Sequence, residues 1–114
     1  MTDSCLFLTG PTTGIPNSNR PAYDEAFSTL IKDARLTPIE EYFTSPQRRL
    51  SLVLECDGVV LLPAWARDEQ AKAEVLMAVT LGKPLFAYHQ HRPEKIERLS
   101  NVKIVTRAEI LANG

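Results

Sequence analysis

The fold of this chain is decided by residues 57–83, which read DGVVLLPAWARDEQAKAEVLMAVTLGK. Near its start, residues 59–62 are four consecutive apolar residues, and a glycine precedes them and a proline follows them. A short apolar run between such breakers is typical of a strand that is buried on both faces. A helix is expected to begin near Asp68 and to end at Gly82, a natural helix C-cap. The stretch therefore predicts a core strand that leads directly into a helix.

This helix carries a carboxylate inside its apolar stripe. Ala71, Val75 and Ala78 recur at spacings that share one helix face, and Glu74 lies on the same face. In one interpretation the stem of Glu74 covers the core while its carboxylate reaches water. In the other, Glu74 points into a cleft at the carboxyl end of the strand, where open parallel sheets bind ligands. Partial burial would then raise its pKa and make it a better nucleophile or base.

The composition is that of one ordinary domain. A chain of 114 residues can build one core but not two, so residues 1–114 are expected to form a single domain. A net charge of −1 gives no basic surface for nucleic acid. No apolar run approaches the ~20 residues of a membrane span, and no basic segment precedes the first apolar run, so a cytoplasmic location is expected. With two cysteines and two histidines, neither a disulfide framework nor a metal site is indicated.

The first strand is predicted at residues 4–9, SCLFLT, and a loop rich in turn formers follows it. The loop, GPTTGIPNSNR, begins at Gly10 and contains two glycines, two prolines and two asparagines. These residue types let a backbone adopt positive φ and approach a ligand closely. The next helix is expected to be capped by Asn19, since apolar residues recur at helical spacing from Tyr23 onward. A loop at such a helix N-terminus can bind an anion. Because the loop matches neither GxGxxG nor a Walker sequence, a purely structural loop is an equal alternative.

Two segments are harder to assign. Residues 35–38 favour a short second strand that ends at a proline. Residues 46–55 fit both a helical period and a strand alternation. In the strand interpretation, Asp57 and Gly58 form a hairpin turn between antiparallel strands. In the helix interpretation, Asp57 stands at the mouth of a βαβ unit.

The remaining pattern completes an α/β protein. A strand is predicted at 85–88, a short helix at 93–99, an edge strand at 102–105 and a terminal helix at 106–112. Four or five short strands alternating with helices predict a three-layer α/β sandwich with a mostly parallel sheet, of the flavodoxin or Rossmann kind. Ligands bind such sheets at the carboxyl ends of the strands. The glycine-rich loop and the Glu74 helix both begin there, so we expect them to serve one site.

Two segments resemble a known family. LTGPTTGIPNSNRPAYDEAF and CDGVVLLPAWARDEQAKAEVLMAVTLGKP are similar to a group of small phage and bacterial proteins related to nucleoside 2-deoxyribosyltransferases. Together the two segments cover somewhat under half of the chain. Their distinctive combination is a GPxTGxPxxNRPA loop, a CDxVVLLPxW strand, a helix glutamate and an LGKP ending. The resemblance implies a deoxyribosyltransferase-like fold without a cofactor, and a homo-oligomer, because the related enzymes build their sites with a neighbouring subunit.

The resemblance also assigns roles by position. In those transferases and the related nucleotide N-glycosidases, a helix glutamate attacks the anomeric carbon of the sugar and the base leaves. That glutamate corresponds to Glu74, and the aspartate that binds a sugar hydroxyl corresponds to Asp68. Gly10 and Pro11 match the loop that closes over the nucleoside. Trp65 either stacks on the base or simply covers the end of the sheet.

Other positions depart from the family's pattern. Arg49 stands where the enzymes hold an acid that assists the leaving base, and a guanidinium cannot be a general acid at neutral pH. Phe7 replaces a tyrosine, and the Ser-x-Gly turn that often opens the catalytic helix reads Asp-Glu-Gln from Asp68. Arg49 and Arg20 are either solvated surface charges or phosphate ligands that reach the loop at Gly10.

These residues give two hypotheses for function, beside a third possibility, a structural α/β protein that binds no ligand. The leading one is an N-glycosidase or 2-deoxyribosyltransferase-like protein that acts on a nucleoside or nucleotide. The alternative is a catalytically inactive module, of a kind that a phage could encode, which binds or sequesters a nucleotide. Asp57 either caps the turn into its strand or belongs to the site. The candidate residues are the catalytic pair Glu74 and Asp68 and the substrate-binding Gly10, Pro11, Thr12, Asn19, Arg20, Arg49, Asp57 and Trp65.

Overall fold

A computed structural model describes residues 5–32 and 34–89 and, for the backbone, residues 96–98. Within these ranges the chain forms five strands and three α-helices. The strands are β1 (Cys5–Thr9), β2 (Arg35–Leu36), β3 (Gly58–Leu61), β4 (Leu85–Tyr88) and β5 (Ile96–Arg98). The helices are α1 (Arg20–Leu30), α2 (Pro46–Glu55) and α3 (Glu69–Thr80). Short helical turns occupy Pro16–Asn19, Ile39–Phe43 and Trp65–Arg67.

The strands form one sheet in the order β2-β1-β3-β4-β5. The first four are parallel, and β5 pairs antiparallel with β4. Right-handed crossovers place α1 on one face and α2 and α3 on the other. The predicted three-layer α/β sandwich with a mostly parallel sheet is confirmed. The connections that leave β1 and β3 run in opposite directions, which creates a crevice at the carboxyl ends of these neighbouring strands.

Residues 46–55 are helical, so the hairpin interpretation is wrong. The Ser45 hydroxyl accepts a hydrogen bond from the backbone N–H of Arg48 at 3.2 Å, and Pro46 occupies the first helical turn. Both features stabilise a helix start. Asp57 consequently lies just before β3, at the amino-terminal edge of the parallel sheet.

A second prediction fails near the carboxyl end of the described chain. Residues 96–98 form β5 rather than part of a helix over 93–99, and Ile96 pairs with Tyr88. The edge of β4 offers unpaired backbone groups, and pairing with them outweighs a weak local helix preference. The predicted strand at 102–105 and helix at 106–112 lie outside the described residues.

The core is built on the central strands, where Leu8, Val59 and Val60 are completely buried. Strands β1 and β3 are covered on both faces, which is why their sequences are continuously apolar. Helix α3 packs against both strands and brings its polar Glu74 into this apolar layer. None of the helices in the described ranges is long and apolar enough to cross a membrane.

Candidate functional site

The carboxyl end of β1 and the first half of α3 meet in one cluster of side chains. Thr9, the last residue of β1, donates a hydrogen bond from its hydroxyl to Glu74 Oε1 at 2.7 Å. The following loop contacts the start of α3 through Asp68. The structure thus brings together the two segments that the sequence placed at one edge of the sheet.

Glu74 has no contact with solvent, with a relative exposure of 0%. Its Oε1 accepts hydrogen bonds from Thr9 and, at 2.8 Å, from Arg49 Nη2. Its Oε2 accepts one from Gln70 Nε2 at 2.7 Å. Burial raises the pKa of Glu74, and the Arg49 charge and the three hydrogen bonds oppose that rise. The interpretation in which this carboxylate reaches water is wrong.

Arg49 is buried as well, with 3% exposure, so its interpretation as a solvated surface charge is wrong. Besides Glu74 it binds the Tyr23 hydroxyl at 3.1 Å, and its guanidinium carbon lies 5.8 Å from the centre of the Phe7 ring. Its Nε has no hydrogen-bond partner in the described part of the chain. The burial follows from α2 itself, whose core-facing residues are Arg49, Leu52 and Val53. A charge in that layer requires an opposite charge, and Glu74 supplies it.

Tyr23 also belongs to this cluster. The sequence had placed Tyr23 only on the apolar face of α1. Its hydroxyl accepts a hydrogen bond from the Gly10 N–H at 2.9 Å and donates one to the Gly10 carbonyl at 3.0 Å. Burial raises the pKa of Tyr23 to about 12, so the phenol keeps its proton at neutral pH. The available signal was chemical, because a tyrosine on a core-facing stripe needs a partner for its hydroxyl.

Asp68 fastens the glycine-rich loop to α3. Its Oδ1 accepts hydrogen bonds from the backbone N–H groups of Thr12 and Thr13 at 3.3 and 3.0 Å. Its Oδ2 accepts one from the N–H of Ala71 at 3.0 Å, which makes Asp68 the N-cap of α3. The sequence expected a helix start at this residue. The carboxylate binds the protein's own backbone where a ligand hydroxyl was predicted.

Gly10 and Pro11 are buried at the base of this loop. A Cβ on Gly10 would lie 2.8 Å from the Cβ of Leu62, the residue after β3. A side chain is therefore excluded by the close approach of the two strand ends, independently of any ligand.

Three further candidate residues lie outside or at the edge of the group of side chains around Glu74, Arg49 and Tyr23. The guanidinium of Arg20 binds Glu40 at 3.0 Å and lies 4.9 Å from the Phe43 ring centre, and it lines an open cavity of about 450 Å³. Asn19 occupies the N-cap position of α1, but its side chain makes no capping hydrogen bond. Trp65 is half-buried in the turn after β3 and packs against the core.

Asp57 lies at the opposite end of the strands from Glu74. Its carboxylate accepts a hydrogen bond from the backbone N–H of Cys5 at 2.8 Å, at the amino ends of β1 and β3. Asp57 thus caps the turn into its strand, and the structure does not bring it to Glu74.

Backbone strain is concentrated in the two loops at the carboxyl edge. In the described ranges, four residues other than glycine have positive φ: Asn17, Ser18, Asn19 and Ala64. The first three follow β1, and Ala64 follows β3. Such left-handed residues cost about 1–2 kcal/mol each and cluster at ligand sites and active sites. No group of three or more metal-ligating side chains occurs among the residues that the structure describes.

Residues 4–87 match the model of a protein family that is described as a domain of unknown function, DUF4406. The chain belongs to the DUF4406 family. The match covers well over half of the 114 residues and includes β1, α2 and α3, the elements that carry Thr9, Arg49 and Glu74. The comparison with curated proteins gives no match, and the comparison with solved structures gives none either. Membership of DUF4406 therefore assigns no reaction to the buried charge pair.

Proposed function

We propose that this DUF4406 chain binds a nucleoside or nucleotide at the carboxyl edge of its sheet without cleaving it. The observation that carries the proposal is the enclosure of Glu74, which is fully buried and accepts hydrogen bonds from three side chains. A carboxylate attacks an anomeric carbon only when one of its oxygens faces that carbon at close range. Both oxygens of Glu74 are instead occupied by hydrogen bonds from Thr9, Arg49 and Gln70.

Arg49 also opposes glycosidic chemistry electrostatically. The sugar gains positive charge in an oxocarbenium-like transition state. A guanidinium bound 2.8 Å from the carboxylate oxygen would repel that charge. The same group cannot donate a proton to the leaving base at neutral pH. Both effects favour a binding protein over a glycosidase.

A ligand at this edge is supported by two independent features. The sheet reverses its winding between β1 and β3, and crevices at such points bind ligands in open α/β sheets. The strained left-handed residues lie in the loops that follow these two strands. The resemblance to deoxyribosyltransferases indicates a nucleoside or nucleotide as the ligand, and half-buried Trp65 offers an aromatic surface for a base.

The second candidate is an N-glycosidase or 2-deoxyribosyltransferase with Glu74 as nucleophile and Asp68 as the residue that orients the sugar. Its support is the location of Glu74, which is bound to Thr9 immediately before the Gly10 loop. The nucleoside 2-deoxyribosyltransferases that this chain resembles hold their nucleophile at the corresponding position. In this candidate Arg49 has to move away from Glu74 when the substrate binds.

One experiment distinguishes the candidates. The protein is incubated with a panel of nucleosides and 5′-monophosphates, its melting temperature is recorded, and free base is measured by chromatography. Ligand at about 100 times its Kd should stabilise the protein by about 2.7 kcal/mol, and no base should be released. If no panel member shifts the melting temperature, the binding proposal is wrong.

Two variants identify the residue responsible for any base release. Glu74→Gln removes the candidate nucleophile, and Glu69→Gln is the matched control because that side chain is exposed on the same helix. Release that Glu69→Gln retains and Glu74→Gln abolishes would establish the glycosidase instead. Release that survives Glu74→Gln would contradict the nucleophile assignment.

A further inference from the structure

The two oxygens of the Glu74 carboxylate are covered in different ways. Oε1 accepts hydrogen bonds from Thr9 at 2.7 Å and from Arg49 at 2.8 Å. Oε2 accepts one among the described residues, from Gln70 Nε2 at 2.7 Å. Gln70 is uncharged and half-buried, whereas Arg49 is charged and only 3% exposed. Oε2 therefore has the weaker and more accessible partner, because hydrogen bonds from charged donors are the stronger ones.

Gln70 lies between Glu74 and the carboxyl edge of the sheet. Helices that connect parallel strands run back against them, so α2 and α3 both begin at this edge. Gln70 is in the first turn of α3, one turn before Glu74, and its Nε2 also donates a hydrogen bond at 3.4 Å to the carbonyl oxygen of Pro46, the first residue of α2. The amide thus bridges the starts of the two helices. A ligand group that reaches Oε2 from the carboxyl edge has to replace it.

We infer that the ligand of this site donates a hydrogen bond from a sugar ring hydroxyl, at C2′ or C3′, to Glu74 Oε2 in place of the Gln70 amide. The inference rests on the proposed function, under which the ligand is a nucleoside or nucleotide. A buried carboxylate oxygen without a donor is costly, so only a ligand that supplies a donor displaces Gln70. Thr9 and Arg49 stay on Oε1, and Glu74 remains an acceptor, which agrees with binding without cleavage. Gln70 then selects for sugars that carry a ring hydroxyl.

Sugars with and without ring hydroxyls test this selection. The probes are the four common ribonucleosides, their 5′-monophosphates and the 2′,3′-dideoxy form of each, and calorimetry measures the Kd of every probe. For a probe that binds, the dideoxy form should have a Kd about tenfold or more above that of the ribose form, because a hydrogen bond to a charged acceptor is lost. This ratio of Kd values compares two probes that differ only in the hydroxyls.

Two substitutions of Gln70 should move the ratio in opposite directions. Gln70→Ala removes the competing amide and keeps a good helix former, so the ratio should rise by about threefold. Gln70→Lys places an ammonium beside Oε2, and its charge-assisted hydrogen bond should lower the ratio by about threefold or more. Gln47→Ala is the matched control, since Gln47 is exposed in the first turn of α2, and it should leave the ratio unchanged. A circular-dichroism melt verifies that the variants are folded.

The outcomes distinguish this inference from the proposed function. If no probe binds the unmodified protein, both are wrong. If a ribose probe binds but its dideoxy form binds equally well, the proposed function stands and the inference is overturned. A ratio that is the same in all four proteins, or that both Gln70 substitutions shift in one direction, would likewise show that Gln70 does not compete with the ligand for Glu74.

Discussion

Arg49 Nη2 lies 2.8 Å from Glu74 Oε1, and both side chains are shielded from solvent. The pair joins α2 to α3 across the apolar layer that covers β1 and β3. Each charge has lost its hydration and depends on the other for compensation. The same contact therefore holds two helices together and occupies the carboxylate that a glycosidase would use.

Replacing Arg49 by methionine should destabilise the protein by about 3–5 kcal/mol at neutral pH, because Glu74 would stay buried without its counter-charge. Urea denaturation measures the loss. Arg48→Met is the control, since that arginine is exposed and its ion pair with Glu41 is worth about 1 kcal/mol or less. Equal losses in the two variants would contradict the structural role of the Arg49–Glu74 pair.

The penalty of Arg49→Met should depend on pH. Burial already raises the pKa of Glu74 above the usual value of 4.5, and removing the neighbouring guanidinium raises it further. A carboxyl with a raised pKa in the folded state stabilises the fold below its unfolded pKa, and that contribution is lost as pH rises through the folded pKa. The penalty should therefore be smallest in acid and grow toward neutral pH. Denaturation curves at about pH 5 and about pH 8 test this sign, and a pH-independent penalty would contradict it.

Local patterns in the sequence were sufficient for much of the fold. The strand at residues 59–62 and the helix that begins at Asp68 were predicted because breakers, a cap and a clear period define them. Residues 46–55 were ambiguous because ten residues contain too few apolar positions to separate a helical from an alternating period. Ser45 and Pro46 were the local signals that favoured the helix.

The candidate site was less predictable, because its contacts join residues that are distant in sequence. The helical period of α2 places Arg49 on the same face as the buried Leu52 and Val53. No spacing rule, however, connects Arg49 to Glu74, which lies 25 residues later. The strand at residues 96–98 likewise depends on the free edge of β4. Positive φ at Ser18 and Ala64 could not be predicted either, since neither residue type favours it locally.

Tyr23→Phe should cost about 1–3 kcal/mol, because Gly10 and Arg49 would lose a buried hydrogen-bond partner while the volume of the core is almost unchanged. Tyr88→Phe is the control. Its hydroxyl is also buried but has no hydrogen-bond partner among the described residues, so its removal should cost little. Urea denaturation of both variants gives the comparison, and a larger loss for Tyr88→Phe would contradict the hydrogen-bond assignment at Tyr23.

Substitutions of Asp68 should separate its two roles. It caps α3, and it accepts the hydrogen bonds that hold the glycine-rich loop against that helix. Asp68→Asn leaves one acceptor oxygen where the carboxylate has two, so it can satisfy either the N–H of Ala71 or the loop amides of Thr12 and Thr13. Asp68→Ala satisfies neither and should cost about 1–2 kcal/mol for the cap alone. Amide hydrogen exchange at these three residues should accelerate in the order aspartate, asparagine, alanine. If exchange at Thr12 and Thr13 were unchanged in Asp68→Ala, the loop would be held by other contacts and the fastening role would be wrong.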